Sequence, residues 1–118
     1  MDLTSRRSAL IPQRYDLSIP ANQRKLEAAE ALAQVAEETG ISLIHLALAF
    51  VIRHPAVTAA IIGPRTIEHL ESQLGAADVE LSADVLDRID AIVPPGTTIN
   101  PTDVGWQNPA LDAAARRR

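Results

Sequence analysis

The sequence contains no cysteine, so no disulfide can staple it and no thiolate can hold a metal. That absence fits a reducing, cytoplasmic setting. Aromatic residues are nearly missing as well: Tyr15, Phe50 and Trp106 are the single representatives of their kinds, which argues against an aromatic-rich β-sandwich. Lys25 is the only lysine, and the formal net charge of −4 removes any whole-chain electrostatic case for nucleic acid or an anionic membrane as partner. Long apolar runs are lacking too. The most apolar stretch, residues 43–53, is well short of the roughly 20 residues that a bilayer span needs.

What is present points to packed helices. Hydrophobic residues make up 47% of the chain, and alanine and leucine supply much of that share. A length of 118 residues suits one small domain and is too short for two. Residues 1–21 carry two prolines, scattered charges and no sustained period, and read as a loop segment. Within it, Thr4 to Leu10 imitates a twin-arginine export signal, but the polar run Ile11-Pro12-Gln13-Arg14-Tyr15-Asp16 stands where an apolar stretch should follow, so export is rejected.

Residues 22–93 form the expected structured domain. Asn22 to Thr39 reads as an amphipathic helix with Leu26, Ala29, Ala33 and Ala36 on one face, closed by Gly40. Ser42 is placed to cap a second helix from Leu43 to Arg53 that is apolar on nearly every side and must therefore be buried. His54 and Pro55 stop it. His45 and His54 are too far apart in angle to share a metal on one helix, and His45 reads as a boundary residue among apolar neighbours; no metal site is expected. Ser82 caps a last helix whose buried face is Val85, Leu86, Ile89, Ile92 and Val93, ended by Pro94-Pro95-Gly96. Residues 94–118 read as an irregular tail, in which Trp106 either lines a pocket or anchors the tail, and Arg116 to Arg118 are solvated charge.

The chain is organised around residues 56–75. Val57 to Ile62 is a short apolar run, β-branched at four of six positions, that suits a strand covered on both faces. Gly63 and Pro64 end it. Thr66 then stands at an N-cap position before Ile67, Leu70 and Leu74 at helical spacing. A helix N-terminus beside Arg65 is a site for an anion, because free amides, the helix dipole and a guanidinium all favour negative charge. The same strand, turn and capped helix also occur without any ligand, so the pattern alone leaves both readings open.

The run from Asn22 to Leu81 resembles the C-terminal end of an aldo-keto reductase. The residues that carry the likeness are Asn22 to Leu26, Leu32-Ala33, Ala36, Gly40-Ile41-Ser42, Ala47 to Val51, His54-Pro55, Ile62-Gly63-Pro64-Arg65-Thr66 and Leu70 to Gln73, and it extends through Leu86 to Ile89 and Pro94 to Gly96. The resemblance implies an α/β fold: the C-terminal fragment of a TIM (β/α)8 barrel, mostly helical, with one core strand at about 57–62. It also implies NADP(H) as cofactor, with Gly63 and Pro64 forming the turn and Arg65 and Thr66 gripping the 2′-phosphate. His69 falls where the family often has Gln or Arg, and Ser72 and Gln73 where an acidic residue and Asn usually face adenine.

The resemblance assigns no catalytic residue to this chain. The family's Asp, Tyr, Lys and His set belongs to the first half of the barrel, and neither Tyr15 nor Lys25 lies in such a motif. The expected function is the cofactor-binding portion of an NADPH-dependent carbonyl or alcohol oxidoreductase, without turnover on its own. A lone parallel strand needs neighbours on both sides, so an isolated chain should be marginally stable and should pair with the missing barrel portion or with itself. Two alternatives come from other classes. One is a non-catalytic helical interaction module. The other is a DNA-binding helix-turn-helix, imitated by Leu32 to Ser42; against it, the would-be recognition helix offers only His45 where bases are read by Arg, Lys, Asn or Gln.

Overall fold

Capping residues divide the chain into helices, and the computed structural model, which describes residues 9–106 and Pro109, follows them closely. The arginines at 6–7 and 116–118 lie outside the described residues. Helix α1 spans Pro20–Glu38. It starts two residues ahead of the expected Asn22, because a proline in the first turn needs no donor and Ile19 O already accepts from Asn22 N–H at 2.9 Å. At its other end Gly40 adopts φ 69°, and the bonds Gly40 N–H to Glu37 O (3.1 Å) and Ile41 N–H to Ala36 O (3.0 Å) complete a Schellman close. Helix α2 covers Leu43–Ile52, with the chain bending by 96° between α1 and α2. Ser42 Oγ accepts from His45 N–H at 3.2 Å. Helix α3 is Ile67–Leu74, followed by a 3-10 turn at Gly75–Asp78, and α4 is Ala83–Ile92, entered through Val85 N–H to Ser82 Oγ at 3.3 Å. No single helix among the described residues is long and apolar enough to cross a membrane.

These elements fall into two compact units. Residues 30–92 form one; the described parts of 1–29 and 93–118 form the other. The first is held by an apolar core of Val35, Ala36, Leu46, Ala49, Leu81, Val85 and Ile89, with Leu32, Ile41, Val79, Leu86 and Ile92 packed around it. Of the last helix's expected face, Val85, Leu86, Ile89 and Ile92 take part. The face expected for α1 is displaced: Leu32, Val35 and Ala36 do the packing, while Ala29 is exposed. Leu32 and the β-branched Val35 offer more apolar area than the alanines, and the helix rotates to bury them. Arg88 and Glu38 form an ion pair at the rim of this unit.

Two expectations for this unit require correction. The strand at 57–62 is not formed, and among the described residues there is no strand at all. After Val57 N–H bonds to His54 O at 2.8 Å, no backbone amide from Thr58 to Thr66 donates to a described backbone carbonyl. A strand is a pairing between segments rather than a property of one, and no neighbouring strand is present among the described residues. Ile61 is consequently fully exposed, at 101%. Helix α2 was expected to be buried all round. Only Leu46 and Ala49 are; Leu43, Ile44, Phe50, Val51 and Ile52 are each 39–48% exposed, because the unit supplies apolar cover on one side only.

The second unit is held by polar groups. Asn22, 2% exposed, donates through Nδ2 to Gln13 O (2.9 Å) and Asp16 O (2.8 Å), and its Oδ1 accepts from Asn100 Nδ2 at 2.9 Å. Asn100 Oδ1 in turn accepts from the Thr102 N–H and hydroxyl, capping a 3-10 turn at Pro101–Asp103 inside what was expected to be an irregular tail. Lys25 Nζ donates to Asp103 Oδ2 and to Arg14 O, both at 2.8 Å, and Arg14 donates to Asp103 O at 2.9 Å. Trp106 is 69% exposed, which removes it as a packed anchor.

Candidate functional site

The turn from Ile62 into α3 leads from unpaired backbone into a capped helix. Thr66 has extended backbone angles (φ −133°, ψ 166°), and its Oγ1 accepts from His69 N–H at 3.2 Å, so the helix begins where the sequence places it. Pro64, half-buried, contributes no amide donor. Gly63 was expected to allow a sharp turn, yet it lacks a positive φ, and a Cβ built on it meets nothing within 4 Å. Neither backbone strain nor a neighbour among the described residues requires glycine there.

At 3.6 residues per turn, His69 and Gln73 project within an arc of about 40° on the helix that Thr66 caps. Arg65 is exposed and has no ion-pair partner among the described residues. Part of the helix N-terminus is already in use. The Glu68 carboxylate takes hydrogen bonds from the Thr66 side chain and from its own backbone, and these hold its pKa below the ordinary 4.5. An incoming anion therefore competes with Glu68 for the end of α3, while the Arg65 guanidinium remains available. Ser72 Oγ donates to His69 O at 3.0 Å, so this hydroxyl serves the helix itself, and Gln73 is half-buried. The turn and helix thus bring Gly63 to Thr66 together with His69 and Gln73, and leave Ser72 at the side.

Two further placements bear on chemistry. Lys25 is held by Asp103 and the Arg14 carbonyl rather than by Tyr15, so the only lysine and the only tyrosine do not form the acid pair that carbonyl reduction would use. Among the described residues no group of three His, Asp or Glu side chains is arranged to hold a metal ion.

The family model for the aldo/keto reductase family matches residues 3–94. The chain belongs to that family. Among curated relatives, it is 32% identical over 77 residues to an uncharacterized oxidoreductase, YrpG, of Bacillus subtilis, covering 65% of this chain and 24% of that protein. It is 32% identical over 72 residues to Protein tas of Escherichia coli, covering 61% and 21% respectively. A third relative is the NADP(+) aryl-alcohol dehydrogenase of Phanerodontia chrysosporium, 32% identical over 74 residues, with 62% of this chain and 19% of that protein covered. The aligned part of the chain spans about a quarter or less of the length of these relatives. No solved structure matches. His45, expected to be a packing residue at a boundary, is half-buried, and its ring is in addition hydrogen-bonded to α3, a link with no signature in the spacing of the sequence.

Proposed function

We propose that this aldo/keto reductase chain is a cofactor-binding portion of an NADPH-dependent carbonyl or alcohol oxidoreductase. The observation that carries the reading is the turn of Gly63, Pro64 and Arg65 entering a Thr66-capped helix, with no ion-pair partner for the guanidinium among the described residues. Arg65 would take the 2′-phosphate as a charge-assisted fork, with Thr66 beside it. His69 and Gln73 would face the adenine, with Ser72 at the edge. Open space at Gly63 fits the close approach of a nucleotide to the backbone. When bound, the nicotinamide supplies a hydride; this chain's residues bind and orient its other end.

The fold we propose for the working enzyme is a (β/α)8 barrel in the cytoplasm, in which 57–62 becomes a strand once parallel neighbours flank it. Hydride transfer would need a tyrosine acid and its partners from outside these residues, so the chain alone binds without turnover. The unpaired backbone at 58–62 and the uncovered side of α2 support docking onto the remaining barrel or onto a second copy. The same uncovered side favours the second reading, a helical interaction module without cofactor. Titrating the full chain with NADPH while following its fluorescence separates the two. A saturable signal that G63A weakens, with no loss of melting temperature, is the expected result. Absence of saturation leaves the interaction module.

A further inference from the structure

His45 lies in the first turn of α2, but its ring reaches α3: Nε2 is 2.7 Å from the Ser72 carbonyl oxygen. A carbonyl only accepts, so Nε2 carries the proton. Ser72 is in the last turn of α3, where carbonyls have no donor within the helix, and the imidazole supplies one from outside. Room for the ring comes from Gly75. A Cβ there would stand 3.1 Å from His45 Cε1 and 3.3 Å from Nε2, while the Gly75 φ of −61° suits any residue.

From Ser72 the bonds continue toward the start of the helix. Ser72 Oγ donates to His69 O at 3.0 Å, and His69 N–H donates to Thr66 Oγ1 at 3.2 Å. The residues in this chain of bonds are those proposed above to face the dinucleotide. We infer that His45 is a positioning residue for that site: a brace from α2 that fixes the rotation of α3, so that Thr66, His69 and Gln73 present one face to the ligand. The inference rests on the NADPH reading for its ligand and on the geometry alone for the brace. His45 acts through Ser72. Leucine in its place fills the volume but leaves the Ser72 carbonyl without its donor, whereas a glutamine amide restores one.

The test uses the full chain as wild type, H45L and H45Q, with two readouts. Without cofactor, amide hydrogen exchange at residues 69–74 should be about fivefold faster in H45L, the equivalent of losing one ordinary hydrogen bond, and near wild type in H45Q, with α4 unchanged in both. Equal exchange in H45L and wild type overturns the brace. With NADPH, H45L should bind about fivefold more weakly and H45Q should recover. If H45Q binds as weakly as H45L, ring volume rather than the donated bond matters, and the inference fails. A wild-type chain that never saturates with NADPH overturns the dinucleotide reading and the ligand half of this inference, and the exchange result still decides the brace.

Discussion

Residues 30–92 and the unit built from the two ends of the described chain are held by opposite chemistry. In the first, seven buried apolar side chains meet and the polar contacts lie around them. In the second, a buried pair of asparagines and a lysine-aspartate contact join segments 78 positions apart in sequence. Apolar packing tolerates gradual change, since area is lost by degrees. A buried polar pair fails by leaving its partner without a hydrogen bond, so its removal costs desolvation that nothing offsets.

The most damaging way to break the comparison is Leu46→Ala. Leu46 is 2% exposed at the centre of the apolar unit, and its truncation should cost about 2–5 kcal/mol, enough in a unit this small to abolish a cooperative thermal transition followed by circular dichroism. Asn22→Ala comes next. It leaves Asn100 Nδ2 and the Gln13 carbonyl without their partner, takes one of two donors from the Asp16 carbonyl, which keeps the Ile19 N–H, and should cost about 1–3 kcal/mol by urea denaturation, with the loss confined to amide protection of the polar unit. A loss of protection in both units at once would show that they do not fold separately.

Thr66→Ala removes the cap of α3 and should cost about 0.5–2 kcal/mol, seen as faster exchange of the first-turn amides. Acid gives the smallest effect. The folded-state pKa of Glu68 lies below the ordinary 4.5, so its contribution is complete above that value and is lost as pH falls through the lowered one. The start of α3 should therefore loosen only in that acidic window, and Glu68→Gln should remove the dependence. An unchanged pH profile in Glu68→Gln would show that the carboxylate does not support the cap.

Much of this was legible in the sequence where the determinant is local. Ser42, Thr66 and Ser82 mark helix starts and Gly40 marks an end, because a cap is chosen by residues three or four positions away. The irregular backbone at 57–62 was not, since the β-branched composition that suggested a strand states a preference that only a neighbouring strand can satisfy. Nor was the polar unit: nothing at Asn22 or Lys25 announces Asn100 or Asp103 so far along the chain. At the candidate site, the turn and the cap were readable, whereas the contact between the Glu68 carboxylate and the Thr66 side chain and that of the His45 ring with Ser72 depend on how side chains meet in space.

The central claim is that Arg65 and the start of α3 recognise a 2′-phosphate. It is tested most directly by calorimetric titration of the full chain and of Arg65→Ala with NADPH and with NADH. The account predicts that the wild-type chain binds NADPH at least about tenfold more tightly than NADH, the scale of one charge-assisted contact, and that Arg65→Ala abolishes the difference. Equal affinity of the wild-type chain for the two nucleotides would contradict it.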